Sequence, residues 1–185
     1  DDEQTAPTEE ERTKAHTLLD FLTPIIKTWP SEYGPKANYF AIQVLGGSGY
    51  VNEHPVEMMY RDNRLNPIHE GTTGIQSLDL LARKVPQNGL AGYTACIEAI
   101  HETIAEARGR DELDGFADEL ESAVGTLKEV TDFLLGSMLE KNIDLVLANS
   151  VKYLDVFGNV VIAWMWLKQG VAASKGLACA SSVAD

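Results

Sequence analysis

Residues 111–139, with the sequence DELDGFADELESAVGTLKEVTDFLLGSML, carry apolar side chains at regular helical spacing. Steps of three or four residues, or sums of such steps, separate Leu113, Phe116, Leu120, Val124, Leu127, Leu134 and Met138. This spacing places all of them on one face of an α-helix. We expect Asp111 to be its N-cap, because an aspartate side chain accepts hydrogen bonds from the first free N–H groups of a helix.

The segments on either side continue the pattern. One helix is predicted over Tyr93–Arg108, and another, closed by Lys168, from the spacing of Val151, Leu154, Phe157, Val161 and Trp164. All seven prolines of the chain lie between positions 7 and 86, and proline disrupts helix interiors. We therefore expect residues 87–185 to form three helices, with turns near Gly109 and Glu140–Lys141. The apolar run Val160–Leu167 is far shorter than the roughly 20 residues that span a bilayer, so we expect it in a core or interface.

The first half is less regular but also helical. We expect a helix over Arg12–Trp29 with a kink at Pro24, and a second over Glu32–Leu45 with a proline in its first turn. Glycines at 46 and 47 should end that helix. A loop with short helical pieces follows over Ser48–Glu70. Thr73–Gln76 then fits the capping-box pattern and should begin a helix that runs to residue 84. Strand alternation is not convincing anywhere, so the predicted class is all-α.

Composition narrows the function classes. The chain has 185 residues, 44% of them hydrophobic, and a formal net charge of −13. Such acidity argues against binding nucleic acid or an anionic membrane surface, which both require basic residues. Six of the acids lie in Asp1–Glu11, which we expect to be a mobile tail. Two cysteines, Cys96 and Cys179, and no visible signal peptide favour a cytoplasmic location.

The glycine run at 46–49 has two interpretations. A dinucleotide fingerprint needs a strand before its glycines and a helix after them. Here a helix is expected before them and a loop after, so that fingerprint fails. The run is then either a simple helix stop or a place where the backbone lets a phosphate approach closely. Chemistry alone favours the helix stop.

Two other clusters favour structural roles. The histidines and cysteines lack the spacing of a helical metal motif, and Ala105 stands where an H-E-x-x-H motif beginning at His101 needs its second histidine. We therefore expect no metal site. The charged group Arg61, Asp62 and Arg64 is interpreted as a structural ion pair that ties the loop to neighbouring helices.

Glu70 is the most interesting carboxylate. It lies in the segment PIHEGTT, residues 67–73, in front of the predicted helix start. A glutamate there can simply interact with the positive end of the helix dipole. It can also act as a base, removing a proton next to a carbonyl that free N–H groups hold. From the residues alone both interpretations stand, with the first favoured.

A longer pattern resembles a known family. Ala41–Tyr50 (AIQVLGGSGY), Pro55–Glu57, Tyr60–Asp62 and Ile68–Gln76 (IHEGTTGIQ) follow in the order and spacing of the C-terminal part of acyl-CoA dehydrogenases, without a gap. The continuation Leu78–Lys84 and the helices after it resemble the longer bacterial members. Sharp motifs lie between residues 41 and 84, and the outline covers nearly the whole chain.

This resemblance implies an activity for a complete enzyme. Members of the family use FAD to oxidise an acyl-CoA thioester to the trans-2-enoyl-CoA and pass the electrons to an electron-transfer flavoprotein. The complete fold has two further domains upstream, a helical one and a β-domain. Our chain would then be part of the C-terminal helical bundle, followed by an additional antiparallel helical bundle, and would be inactive alone.

The resemblance also assigns residues. Glu70 matches the catalytic base, and Thr72 matches a position near the FAD pyrophosphate. Gln43 and Gly47, with Gly46 beside them, match positions that reach the FAD of a neighbouring subunit, which implies at least a dimer. Two positions depart from the common pattern: His69 replaces a tyrosine and Gly74 replaces a glutamine, so tuning of the base and one contact to FAD would differ.

These expectations divide the chain into an acidic tail (1–11), a region with the FAD and catalytic motifs (12–86) and a helical extension (87–185). Two alternatives remain for the function. One is a non-catalytic helical interaction or oligomerisation module, favoured by Trp164 and Trp166, because tryptophan is enriched at interfaces. The other is a related acyl-CoA oxidase.

Overall fold

The computed structural model describes residues 2–183, with side chains through residue 180. Its regular structure is entirely helical over the described residues, which confirms the all-α prediction. Residue 1 of the predicted tail and residues 184–185 of the predicted extension lie outside the described part. The helices in chain order are α1 (Asp2–Thr5), α2 (Glu9–Leu45), α3 (Gly47–Tyr50), α4 (Val56–Asn63), α5 (Thr73–Leu78), α6 (Ala91–Ala107), α7 (Asp111–Leu139), α8 (Ile143–Ala148) and α9 (Ser150–Val183).

Helix α2 is a single helix of 37 residues, so the prediction of two helices was wrong. It contains Pro24, Pro30 and Pro35 within its span. An interior proline costs about 3 kcal/mol in an isolated helix, because it removes a backbone hydrogen bond. Here the helix is held from outside: its inner face buries Phe21 and Ile25 in the core and contacts α4, α6 and α9.

The acidic N-terminal segment, expected to be a mobile tail, contains helical structure. Helix α1 lies against α2, where the His16 ring nitrogen and the Glu3 carboxylate are 2.6 Å apart. Thr8 and Glu11 form a capping box at the start of α2. The acids therefore have a local use, since carboxylates are favourable near the positive end of a helix.

Predictions for the second half hold in outline and differ at the ends. Asp111 is the first helical residue and not the cap; Asp114 instead accepts a hydrogen bond from the Gly109 N–H at 2.9 Å. Short helix α8 was not predicted. Helix α9 continues past Lys168, because Leu167 and Val171 are both buried and the apolar spacing does not stop.

One continuous core joins helix α2, the residues that directly follow α5, and helices α6, α7 and α9. Its centre is aromatic: Phe157 packs edge-to-face against Phe21, Tyr93 and Tyr153, with ring centroids 5.4–6.2 Å apart. The predicted core run is confirmed for Val160, Val161, Trp164 and Leu167, whereas Trp166 is 69% exposed. By length and composition alone Ser150–Ala180 is able to cross a membrane, and 39% of its most apolar window is buried inside the bundle.

Helix α2 ends at the glycine run, as predicted, and short helices follow it. Gly46 ends the helix with a φ of 59°, which glycine adopts easily. Short helices α3 and α4 follow, as expected for this loop. Gly49 packs so tightly on α2 that an added Cβ would lie 2.8 Å from the Ile42 carbonyl oxygen.

Helix α5 begins at Thr73. A π-helical turn, Asp79–Lys84, directly continues it. The predicted capping box is wrong, because both of its side chains bind elsewhere. Thr73 donates its hydroxyl hydrogen bond to Glu32 of α2, and the Gln76 amide donates to the Glu70 carbonyl oxygen at 2.9 Å. The π-turn points Lys84 inward, where its buried ammonium pairs with Asp20.

Candidate functional site

Glu70 lies on an exposed loop in a conformation that side chains rarely adopt. Its φ is 54°, and that of Gly71, the next residue, is 92°. Left-handed conformations cost a non-glycine residue roughly 1–2 kcal/mol, so they persist where surrounding contacts enforce them. A Cβ at Gly71 would also lie 2.7 Å from the Gln76 amide nitrogen, so the end of the flexible Gln76 side chain would have to move to admit it.

The loop is fastened by residues distant in sequence. The Lys27 ammonium of α2 donates to the carbonyl oxygens of Asn66 at 3.0 Å and Gly71 at 2.5 Å. Asn66 in turn donates its side-chain amide to Asn63 at 2.7 Å. With Thr73 bound to Glu32, helix α2 holds the loop on both sides of Glu70 and leaves that carboxylate facing solvent.

The backbone N–H groups of the two residues after Glu70 are candidates to hold a ligand. Within the part of the chain that the structure describes, neither Gly71 nor Thr72 donates its N–H to a protein acceptor. Thr72 is the N-cap of α5, and its side chain makes no capping bond. A carboxylate next to unused N–H donors fits a base acting on an atom next to a polarised carbonyl.

The second group of predicted residues lies at the far end of α2. Gln43, Gly46 and Gly47 are all exposed there. A Cβ added at Gly47 would meet no atom within 4 Å, unlike one at Gly49, so packing within the chain does not explain the glycine at 47. The open space above it fits close approach by an external group such as a diphosphate.

Beside this glycine run is an open cavity of about 770 Å³, lined by Tyr39, Ile42, Tyr50, Asn52, Glu57, Tyr60, Arg61 and Arg64. The predicted structural ion pair at Arg61, Asp62 and Arg64 is wrong: among the described residues none of the three belongs to a salt bridge. Their side chains are exposed instead. Two guanidinium groups beside tyrosine rings suit an anionic, planar ligand.

The structure does not bring the two predicted groups together. Glu70–Thr73 contacts α2 at Lys27 and Glu32, which precede Gln43 by 16 and 11 residues. At 1.5 Å per residue the separation along the helix is about 16–24 Å. One copy of the chain therefore offers two separate sites.

Lys27 and Glu32 were not found by sequence reasoning. One signal was available: Lys27 is the only basic residue in Leu18–Trp29, an otherwise mostly apolar run. A lone cation on a core-facing helix requires an acceptor, and here the acceptors are loop carbonyls. For Glu32 nothing in the sequence pattern points to its partner 41 residues away.

A separate apolar groove runs between α7 and α9, with a volume of about 730 Å³. Exposed rings of Phe116 and Trp166 line it, with Glu119 as its one charged lining residue.

As for metals, no group of three His, Cys, Asp or Glu side chains able to hold an ion occurs in the described residues.

Two family models match the chain and leave little of it uncovered. Residues 7–85 match the model described as acyl-CoA dehydrogenase, C-terminal domain. Residues 96–185 match the one described as acetyl-CoA dehydrogenase C-terminal like. Both describe C-terminal regions of dehydrogenases that act on acyl-CoA, and Glu70, Thr72, Gln43 and Gly47 all lie in the first.

Individual acyl-CoA dehydrogenases are also similar to this chain. The 3-methylmercaptopropionyl-CoA dehydrogenase of Ruegeria pomeroyi is 33% identical over 171 residues, which are 92% of this chain and 29% of the relative. The broad-specificity linear acyl-CoA dehydrogenase FadE5 of Mycobacterium tuberculosis is 26% identical over 85% of this chain and 27% of the relative. The rat mitochondrial short-chain specific acyl-CoA dehydrogenase is 52% identical over 48 residues, 26% of this chain and 12% of the relative.

The chain belongs to the acyl-CoA dehydrogenase family and corresponds to its C-terminal helical region. It spans less than a third of the length of the curated relatives it matches along most of its own length.

Proposed function

We propose that this chain is the C-terminal helical part of an FAD-dependent acyl-CoA dehydrogenase and that Glu70 is the base of the α,β-dehydrogenation. One observation carries the assignment: an exposed Glu70 is held in a left-handed conformation beside two unused N–H donors, by contacts from α2. Because the chain spans under a third of its relatives, we expect it to have no turnover by itself.

The chemistry follows from where these groups lie. N–H donors beside the loop hold the thioester carbonyl and stabilise the charge that develops on its oxygen. Glu70 accepts the α-proton, forming a carboxylic acid. The β-hydrogen would leave as hydride, for which a bound FAD would supply the acceptor. Thr72, exposed at the start of α5, is placed to contact the diphosphate of that cofactor.

The residues present fit FAD at a second place. Open space over Gly47, the exposed amide of Gln43 and the unpaired arginines beside the cavity suit a diphosphate and an adenine ring. Since this place is about 16–24 Å from Glu70 along α2, we assign it to the FAD of a second subunit. The assignment requires at least a homodimer. As a separate proposal, we place the enzyme in the cytoplasm.

Anaerobic flavin reduction tests the proposal. The full-length FAD-loaded protein is mixed with acyl-CoAs of several chain lengths, and loss of the oxidised flavin absorbance is followed. We expect Glu70→Gln to slow reduction by about 10²–10⁴-fold, because a general base contributes that much. Glu53→Gln, an exposed glutamate in the α3–α4 loop, is the matched control and should react normally. Near-normal reduction by the Glu70 variant would remove Glu70 from the mechanism.

The electron acceptor separates a dehydrogenase from an oxidase. A dehydrogenase passes its electrons to an electron-transfer flavoprotein, which we propose as the partner, whereas an oxidase is reoxidised rapidly by air. Stopped-flow reoxidation of the reduced protein with each acceptor distinguishes the two.

A non-catalytic interaction module is the second candidate. The observation that favours it is the groove with Phe116 and Trp166, since exposed aromatic side chains in an apolar groove are typical of contact surfaces. It predicts no flavin reduction by any acyl-CoA in the full-length protein, so the same experiment decides between them.

A further inference from the structure

Lys27 uses its positive charge in an unusual way. It is partly buried on α2, and its ammonium donates to two backbone carbonyl oxygens, those of Asn66 and Gly71. Among the described residues it pairs with no carboxylate. A charged donor makes a stronger hydrogen bond than a neutral one, roughly twofold. A single atom therefore holds both ends of the segment 67–70.

That segment ends in the strained residue. Glu70 has a φ of 54° and Gly71 one of 92°, and among the described residues the only other side chain bound to this part of the backbone is Gln76, on the Glu70 carbonyl. Without Lys27 these two carbonyls would lose their hydrogen-bond donor. The loop would then relax toward ordinary backbone conformations. The direction of the Glu70 side chain depends on this backbone.

Peptide planarity extends the effect to the N–H donors. In a trans peptide the C=O and N–H bonds point in opposite directions. Turning the Gly71 carbonyl toward Lys27 therefore turns the Thr72 N–H away from α2, and the bond from Gln76 of α5 to the Glu70 carbonyl turns the Gly71 N–H away from Gln76. The ammonium also polarises the Gly71–Thr72 peptide, which makes that N–H a better donor.

We propose that Lys27 is a positioning residue for the proton abstraction: its ammonium clamps the carbonyls of Asn66 and Gly71 and so orients Glu70 and the Thr72 N–H. The inference rests on the function proposed for Glu70. Lys27 itself touches neither substrate nor cofactor in this role.

Three variants of the full-length FAD-loaded protein test it. Lys27→Met removes the donors at nearly constant volume, and Lys27→Arg keeps charge and donors. Lys14→Met is the matched control on the same helix, since among the described residues Lys14 makes only an exposed contact of 3.7 Å with Glu102. We expect the Met variant at position 27 to lower kcat by about 10–100-fold, as small misplacements of catalytic groups do, with little change in KM.

A second readout does not depend on activity. Hydrogen exchange of the peptide covering residues 65–76 should be at least about tenfold faster in Lys27→Met, as for a locally opened segment, and unchanged in Lys14→Met. Lys27→Arg should recover part of both the rate and the protection. A Met variant with normal kcat and normal exchange overturns the proposal, and so does loss of kcat with normal exchange.

The clamp can also be observed without a variant, should Lys27→Met fail to fold. In the unsubstituted chain labelled with ¹⁵N-lysine, the Lys27 ammonium protons should exchange with water more slowly than those of Lys14, and coupling to the carbonyl carbons of Asn66 and Gly71 should be detectable. Equal exchange at both lysines contradicts the clamp. If acyl-CoA leaves the flavin of the unsubstituted protein oxidised, the proposed function fails, while the exchange comparison still tests the clamp.

Discussion

Cys96 and Cys179 have opposite environments. Cys96 is fully buried in the core on α6, whereas Cys179 is exposed near the end of α9. Desolvation by burial raises the pKa of the Cys96 thiol to about 12. The same cause raises the pKa of the Tyr153 hydroxyl, which accepts or donates a hydrogen bond with Thr131 at 2.8 Å.

Stability should therefore fall in alkaline solution. The folded chain holds the Cys96 proton more tightly than the unfolded chain, so this contribution is fully present below a pH of about 9 and is lost as the pH rises toward about 12. We expect this thiol to lower the free energy of unfolding by about 1.4 kcal/mol per pH unit in that window. Urea denaturation at several pH values measures the slope. Cys96→Ala should make it shallower and Cys179→Ala should not; equal slopes in all three proteins would contradict the burial argument.

The local structure around the candidate site residues was predictable where the information was local. Glu70 and Gly46 were placed from short motifs, and the structure shows the exposed loop and the helix end expected there. Thr73 was assigned to a capping box because the pattern is local, yet Glu32 competes successfully for its hydroxyl from 41 residues away. Lys27 was missed for the same reason, as its acceptors are 39 and 44 residues distant.

Helix boundaries follow from packing as much as from propensity. A break was predicted between Trp29 and Glu32, but contacts with α4, α6 and α9 hold α2 as one helix. Apolar periodicity predicted α6 and α7 correctly within a few residues, because their buried faces are continuous. The prediction that α9 ends at Lys168 was wrong. The helix continues past this residue, because the Lys168 side chain is accommodated beside the Trp164 ring.

Close packing of α2 on α6 gives a test at this scale. A Cβ added at Gly92 would lie 2.8 Å from the Phe21 Cβ, and Phe21 is 1% exposed. Overpacking of a core typically costs 1–3 kcal/mol, which should exceed the gain of up to about 1 kcal/mol from replacing a helical glycine by alanine. We expect Gly92→Ala to lower the free energy of unfolding. Gly125→Ala in α7, where the added Cβ meets no atom within 4 Å, should raise it slightly. Denaturant titration of both variants checks the difference in sign.

The whole molecule has a core that crosses the boundary between its two family segments. Phe21 and Leu80 belong to the first segment, and Ile100 and Phe157 to the second, and all are in one buried cluster. The division at residues 86–87 therefore stays a prediction about sequence organisation, since packing is continuous across it. Helical composition and periodicity predicted the class, whereas this contact between halves depends on tertiary packing that periodicity does not encode.

We expect the chain to unfold as one unit for this reason. The edge-to-face contact of Phe21 with Phe157, centroids 5.4 Å apart, and the Trp29 indole N–H donated to Asn159 at 2.9 Å join α2 to α9. Truncation of a fully buried phenylalanine costs roughly 3–5 kcal/mol, a large fraction of the 5–15 kcal/mol that stabilises a typical domain. Phe157→Ala should thus lower the free energy of unfolding by the same amount in two measurements. One is the loss of helical circular dichroism, and the other is the hydrogen exchange of amides in α2. The exposed Phe133→Ala in α7 should shift neither. If α2 kept its protection while α9 lost it, the two segments would be independent folding units and the continuous core would carry no cooperativity.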